Sequence, residues 1–222
     1  MKKEKAILML IISMVVYNKI NAQVINWKNV KEKHIVNLNL GGDYGIVGGL
    51  SYAQKIESKY FPMWVNIDFS TPVGKDLLDD YKVKAGGQIR ILSFRQFQIG
   101  TSLQVLFRTI NMHLVKVRNL GGELVLTGGY YNPRWFIAGE VGFDKASLTH
   151  IEHKDSYELI YPEAKNGWYE VPTGGNFNFG IRTGVSFSKN DLYLKSGMLR
   201  TQDFKSMPLL PFYAQLGYNY RF

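Results

Sequence analysis

Residues 212–222 read FYAQLGYNYRF, and their character alternates from one position to the next. Successive side chains of a β-strand point to opposite faces of the sheet, so this alternation predicts a strand with two different faces. One face suits lipid, and the other suits a wet or packed interior. The first face holds Phe212, Ala214, Leu216, Tyr218, Tyr220 and Phe222, and the second holds Tyr213, Gln215, Gly217, Asn219 and Arg221.

The same two-residue period recurs along the chain, for example over 97–108 and 176–188. Counting such segments predicts ten strands, an even number that is typical of single-chain bacterial outer-membrane barrels. We therefore predict an all-β fold, a transmembrane up-and-down antiparallel β-barrel of ten strands, with eight strands as the alternative. The predicted strands lie near residues 34–42, 45–56, 62–71, 80–93, 96–110, 121–131, 135–149, 175–188, 191–203 and 210–222.

The connections between these strands alternate in length, as expected for short periplasmic turns and longer outer loops. Tight turns are predicted at Arg95, at 132–134 and at 189–190. Asp43-Tyr44 is an unusually short outer connection. The longer outer connections are predicted around 72–79, 111–120, 150–174 and 204–209.

The start of the chain is typical of a secretory signal peptide. A lysine-rich beginning precedes an apolar run over 6–17 and a polar stretch that ends at Ala22. The run is about a dozen residues, whereas a membrane-spanning helix needs roughly 20, which favours a cleaved leader over an anchor. We predict a signal peptide over 1–22, a periplasmic N-terminal stub over 23–33 and an outer-membrane barrel over 34–222.

A soluble, lipocalin-like barrel is the alternative fold, with apolar side chains inside and polar side chains outside. The alternation of side chains fits both kinds of barrel. The leader, the terminal aromatic residue Phe222, the strand number and the unequal connections favour the barrel that spans a membrane.

Composition excludes several classes of function. The chain has no cysteine, so it forms no disulfide, thiolate nucleophile or lipidated N-terminal cysteine. Its net charge of +9 falls to +6 without the predicted leader, and the remaining charge lies along the predicted strands rather than in one block, which argues against a nucleic-acid partner. We expect no cofactor and no metal, because the spacing of His150, Glu152, His153 and Asp155 does not demand converging ligands.

The end of the chain resembles the C-terminal signal that the barrel-assembly machinery recognises in outer-membrane proteins. The resemblance rests on Gln215, Gly217, Tyr220 and Phe222. It implies two partners, the assembly machinery during biogenesis and the outer-membrane lipid afterwards. A leader ending in Ala22-Gln23 also resembles those of Bacteroidetes-type exported proteins. The nearest general resemblance is to small Gram-negative barrels of the PorT-like and OmpX-like kind.

Several charged residues are predicted to face the barrel interior, where charges are costly unless they are hydrated or paired. Neighbouring strands suggest the pairs Asp68 with Lys82 or Lys84, Arg108 with Glu123, and Glu140 or Asp144 with Arg182. Seven cations against four anions leave a surplus of three positive charges. The predicted lumen-lining residues are Asp68, Lys82, Lys84, Arg90, Arg108, Glu123, Glu140, Asp144, Arg182, Lys195 and Arg221.

The long outer connection over 151–174 combines aromatic and charged residues, a composition suited to a partner protein or a surface glycan. The alternative is a loop that folds over its own barrel mouth. The candidate partner-binding residues are Tyr157, Tyr161, Trp168 and Tyr169.

Ten strands also resemble the omptin outer-membrane proteases, which place acidic residues and a histidine at the outer rim. Near that rim the sequence predicts Asp79, Asp80, His150, His153 and Asp155.

Three functions are predicted, in this order. The first is a non-catalytic structural or accessory interaction protein of the cell envelope. The second is a narrow diffusion channel for small anionic solutes, because charges that line a pore select ions of the opposite sign. The third is a rim hydrolase of the omptin or lipid A-modifying kind. We do not expect an enzyme, because a catalytic base must first lie within reach of its target.

Overall fold

The computed structural model describes residues 24–42, 45–58, 61–74, 78–170, 175–205, 208 and 211–222. Strands dominate this part of the chain. None of its helices is long and apolar enough to cross a membrane. The elements are β1 (His34–Gly42), β2 (Ile46–Ile56), β3 (Met63–Pro72), β4 (Asp80–Phe94), β5 (Phe97–Asn111), β6 (Val115–Asn132), β7 (Trp135–His153), α1 (Asp155–Glu158), β8 (Gly167–Glu170), β9 (Gly175–Phe187), β10 (Asn190–Thr201) and β11 (Phe212–Arg221).

Ten of these strands form a closed ring. Each strand from β1 to β7 pairs antiparallel with the next, β7 pairs with β9, and β9, β10 and β11 follow in turn. The ring closes where β11 pairs with β1. The predicted ten-stranded up-and-down barrel is confirmed, and the alternative of eight strands is wrong.

The seam between β1 and β11 is paired along its length, from Ile35 opposite Arg221 to Gly42 opposite Ala214. At the turn end, the amide of His34 donates to the carbonyl of Phe222 at 3.0 Å, and the amide of Phe222 donates back at 2.9 Å. Closure satisfies backbone groups that would otherwise face lipid unpaired, at a cost of several kcal/mol for each group.

The two faces of the wall differ as the alternating sequence predicts. Leu103 is 65% exposed and Leu216 is 54% exposed on the outside, whereas Asn37 and Asn219 are fully buried inside. A continuous apolar outer belt around a polar interior is the reverse of a soluble barrel and matches a barrel that spans the outer membrane. The lipocalin-like alternative therefore does not fit.

Strand boundaries agree with the sequence analysis to within two residues, except at the start of β6 and at the end of β7. β6 begins at Val115 and β7 continues to His153, so the predicted long connection over 111–120 is wrong. The alternation of Val115 and Val117 with Lys116 and Arg118 continues the strand, and a register shift between Leu120 and Gly121 absorbs the irregularity.

One short strand and one short helix were not predicted. β8 pairs with the protruding end of β7, with Trp168 opposite His150. The four residues of β8 are too few for a two-residue period to stand out from a loop, and α1 has one turn only.

Aromatic side chains inside the barrel lie flat over glycines on neighbouring strands. Tyr193 of β10 is directly opposite Gly217 of β11, and a Cβ atom at Gly217 would overlap the Tyr193 ring. The Tyr193 hydroxyl accepts a hydrogen bond from Asn37 Nδ2 at 2.9 Å. The absent side chain at Gly217 is thus what lets Tyr193 cross towards β1.

Gly217→Ala should displace the Tyr193 ring and lower the free energy of unfolding by about 1–3 kcal/mol, the usual cost of overpacking. Urea unfolding in detergent micelles, followed by tryptophan fluorescence, measures the change. Gly48→Ala is the matched control, because its Cβ would meet Val73 at an ordinary 3.6 Å. Equal stability of the two variants would contradict this packing role.

Candidate functional site: the barrel lumen

The half of the lumen near the long connections contains a cavity of about 470 Å³, which we call the loop-side chamber. Every charged residue that lines it comes from a strand. Asparagine, serine and glutamine side chains fill the spaces between the charges. The charged lining residues are Asp68, Lys82, Lys84, Arg108, Glu123, Asp144 and Lys195.

Two ion pairs stand in the wall of this chamber. Lys84 on β4 reaches across β5 to Glu123 on β6, with Nζ and Oε2 2.7 Å apart. Arg108 makes a two-armed contact with Asp80, through Nε at 2.9 Å and Nη2 at 2.5 Å. The structure thus gives Asp80 as a partner of Arg108, where the sequence suggested Glu123. Asp80 lies diagonally across from Arg108 in the β4–β5 register, where the guanidinium fork reaches it.

Asp68 lies directly opposite Lys84 in the β3–β4 register. Its Oδ2 accepts hydrogen bonds from Asn66 at 2.9 Å and from Gln104 at 3.1 Å. Lys84 is thus flanked by two carboxylates. Its ammonium group contacts Glu123 at 2.7 Å.

A buried cluster separates the chamber from the rest of the lumen. We call it the Glu140 cluster, and it consists of Glu140, Arg182, Lys195 and Tyr213. The Glu140 side chain is 0% exposed. Its Oε2 accepts from Arg182 Nε at 2.9 Å, and its Oε1 accepts from the Tyr213 hydroxyl at 2.6 Å and lies 3.2 Å from Lys195 Nζ. A carboxylate so buried needs such partners to remain charged.

The charges around the chamber balance in number but not in exposure. With Asp80 and Arg182 and Glu140 included, five cations face five carboxylates. However, the Lys195 side chain is 25% exposed against 0% for Glu140, and Lys84 is 19% exposed against 12% for Glu123. In both pairs the cationic side chain is therefore more exposed than its carboxylate partner.

The opposite half of the lumen, near the short turns, is occupied by residues 24–27, which we call the N-terminal plug. Val24, Ile25 and Asn26 are each at most 2% exposed. The Asn26 side-chain amide donates to the carbonyl of Asn132 and to the hydroxyl of Ser186, both at 2.9 Å. These residues belong to the stretch predicted to be an N-terminal stub, and nothing in its sequence signals entry into the barrel.

Arg221 and Arg90 lie near this turn end. The Arg221 side chain is 1% exposed, lies 3.3 Å from Asp191 and 3.5 Å from Glu32, and donates to the carbonyl of Ser188 at 2.6 Å. Arg90 donates to the carbonyl of Trp27 at 3.4 Å. Three of the seven predicted lumen cations are thus held outside the chamber, two of them here and Arg182 in the Glu140 cluster.

The aromatic residues of the long outer connection form two groups of ring contacts. Tyr157 stacks on His153 at 4.7 Å and contacts Tyr161 at 5.1 Å. Trp168 meets His150 edge-on at 4.9 Å. The Tyr169 hydroxyl donates to the carbonyl of Lys165. Residues 171–174 of this connection lie outside the described residues.

The rim residues considered for catalysis are not brought together. Asp79 accepts from Asn111, and Asp80 is held by Arg108. Among the described side chains, His150 contacts Arg118 and Trp168, and His153 contacts Asn166 and Tyr157. Neither histidine is thereby joined to a carboxylate, as an acid–base pair would require.

The four residues of the C-terminal signal divide between the two faces of β11. Gln215 lines the chamber, and Gly217 lies beneath Tyr193. Tyr220 and Phe222 lie outside, with their rings stacked at 6.0 Å, and Phe222 also stacks on His34 at 5.3 Å. The aromatic pair therefore marks the seam of the ring.

Comparison with known proteins gives matches among solved structures only. No family model matches, and no curated protein matches significantly. A structure described as "KdgM porin in complex with disordered oligogalacturonate" is 11% identical, covers 85% of this chain and 99% of its own, and has a TM-score of 0.41. A second KdgM porin structure is 10% identical, with the same coverage and a TM-score of 0.40. The resemblance to PorT-like and OmpX-like barrels stays a prediction.

The first of the three predicted functions is corrected. A non-catalytic structural or accessory role is wrong as the leading interpretation: the lumen contains a charged chamber of about 470 Å³, which fits the diffusion channel that was placed second. The matched chains are described as porins. At these identities and TM-scores the likeness extends to the barrel fold alone, so the nature of any solute has to be argued from the chamber itself.

Proposed function

We propose that the protein is a narrow diffusion channel of the outer membrane whose loop-side chamber admits small anionic solutes. The observation that carries this proposal is the chamber itself, a cavity of about 470 Å³ lined by seven charged residues. Cavities that take small molecules commonly have volumes of roughly 300–1,000 Å³. The chamber therefore has room for one small solute with part of its hydration.

The preference for anions rests on which charges face the cavity. Carboxylates such as Glu140 and Asp68 are buried behind their hydrogen-bond donors. The side chains of Lys84 and Lys195 are more exposed than those of the carboxylates they contact. A solute in the cavity meets positive charge first, which lowers the energy of an anion relative to a cation.

Export and assembly complete the proposal. Cleavage of the leader over 1–22 would deliver the chain to the periplasm, and the C-terminal signal would engage the barrel-assembly machinery. The apolar outer belt supports residence in lipid, and the outward aromatic pair Tyr220 and Phe222 supports recognition at the seam. Residues 1–23 lie outside the described residues.

Lys84→Gln should reduce the preference for anions, because it removes an exposed cation and leaves Glu123 to face the cavity. Currents across a planar bilayer in a potassium chloride gradient give the permeability ratio from the reversal potential. We expect wild type to favour chloride and the variant to lose that preference severalfold. Lys189→Gln, on the exposed β9–β10 turn, is the control that should leave the ratio unchanged.

Two outcomes would contradict the proposal. Absence of any current above background from wild type and both variants would remove the channel. A chloride preference that survives Lys84→Gln undiminished would remove the role of the chamber lysines.

Glu140→Gln should destabilise the barrel while preserving the shape of the side chain. Arg182 and Lys195 would lose their common counter-charge, and breaking a buried ion pair costs about 3–5 kcal/mol. Urea unfolding in detergent measures the loss, with Lys189→Gln again as the control. A loss of stability no greater than that of the control would show that the charge of Glu140 does not stabilise the barrel.

Phe222→Ala should lower the amount of barrel inserted in the outer membrane severalfold, through lost recognition rather than lost stability. Its backbone pairing with His34 does not depend on the ring. The same variant refolded into detergent should therefore form the barrel nearly as well as wild type. Normal insertion in cells, or equal failure in detergent and in cells, would contradict a role in assembly.

A further inference from the structure

We infer that the N-terminal plug, residues 24–27, is the gate of the channel, and that it must leave its seat before a solute passes the turn end. This inference rests on the proposed channel function. It assigns gating to the turn end and solute preference to the loop-side chamber, so the two properties should respond to different variants.

The plug blocks the lumen because its contacts reach every strand of the ring. Val24 packs in one cluster with side chains of β6, β7 and β10, and Ile25 packs in another with side chains of β1, β2 and β3. The Val24 carbonyl accepts from Asn219 of β11 at 2.6 Å. The Trp27 carbonyl accepts from Arg90 of β4, and its indole lies against Gly100 of β5. The remaining strand, β9, is contacted through the hydrogen bond from Asn26 to Ser186.

A segment in contact with all ten strands at one level fills the cross-section there. Its anchors are few and non-covalent, however. Asn26 makes two side-chain hydrogen bonds to the wall, and single contacts hold the carbonyls of Val24 and Trp27. No strand or helix includes residues 24–30. Such a segment can leave without unpairing any strand of the wall.

On its C-terminal side the plug is tied to the rim of the barrel. Glu32 contacts Arg221, and Lys33 forms an ion pair with Glu57 at 2.7 Å. The carbonyl of Lys33 accepts from the amide of Lys55 at 2.8 Å. These contacts hold residues 32–33 at the rim. Residues 24–31, including Val30, which packs against the cluster of Ile25, are therefore the part that would have to move out.

Because the chain has no cysteine, a disulfide between two introduced cysteines can hold the plug in its seat without competing thiols. Asn26 Nδ2 and Ser186 Oγ are 2.9 Å apart, so Asn26→Cys combined with Ser186→Cys places two thiols on facing side chains, where oxidation can join them. With the disulfide confirmed by mass spectrometry, we expect the bilayer current to fall at least about tenfold, since a locked closed state removes the open population. Reduction should restore the current without changing the chloride preference.

Each single-cysteine variant, treated with the same oxidant, is the matched control and should keep its current. Thiol labelling gives a readout that does not depend on solute flow. In Ser186→Cys, the seated plug covers the thiol, so a bulky water-soluble reagent should label it slowly. Adding Asn26→Ala, which removes both side-chain anchors, should speed the labelling and raise the current.

The outcomes separate the two proposals. If the variants conduct, and the double-cysteine variant conducts equally when oxidised and when reduced, the plug is not a gate, whereas the proposal of a channel is retained. If Asn26→Ala changes neither labelling nor current, the gate is also wrong. If no variant conducts, reduced or oxidised, the channel fails and the gate fails with it.

Discussion

The pairing of β1 with β11 is the interaction on which the rest of the structure depends. Until it forms, both edge strands carry backbone groups that lipid cannot satisfy. Once it forms, each alternate side chain is committed to the lumen, and the buried polar side chains of the wall must find partners in a narrow space. The double hydrogen bond between His34 and Phe222 fixes the register of this seam, and one slipped residue would turn the lysines towards lipid.

The two halves of the lumen differ in the side chains that fill them. Near the turns, apolar side chains of residues 24–27 fill the space between Trp64, Phe136 and Tyr193. Near the loops, charges remain and are held by neighbours on the wall, with Glu140 at the boundary. A barrel of about eight strands is just filled by its own side chains, so ten strands leave a volume that needs either water or an inserted segment. Here residues 24–27 fill one half, and the loop-side chamber remains as a cavity in the other.

Sequence periodicity predicts the wall well because the period is local and strand pairing follows chain order. It predicts the partners within the lumen less well. Lys84 contacts Glu123 across an intervening strand, and Asp80 looks like a rim residue until the β4–β5 register places it beside Arg108. Gly121 and Gly122 resemble the start of a strand after a loop, whereas the strand passes straight through them. The plug has no period at all, since its conformation is dictated by the cavity that receives it.

The seat of the plug belongs to ten different strands, so it does not exist before the ring has closed. Residues 24–27 can therefore make their full set of contacts only in the closed ring. Contacts absent from the transition state slow unfolding rather than speed folding. A seated plug should thus also prolong the life of the closed barrel.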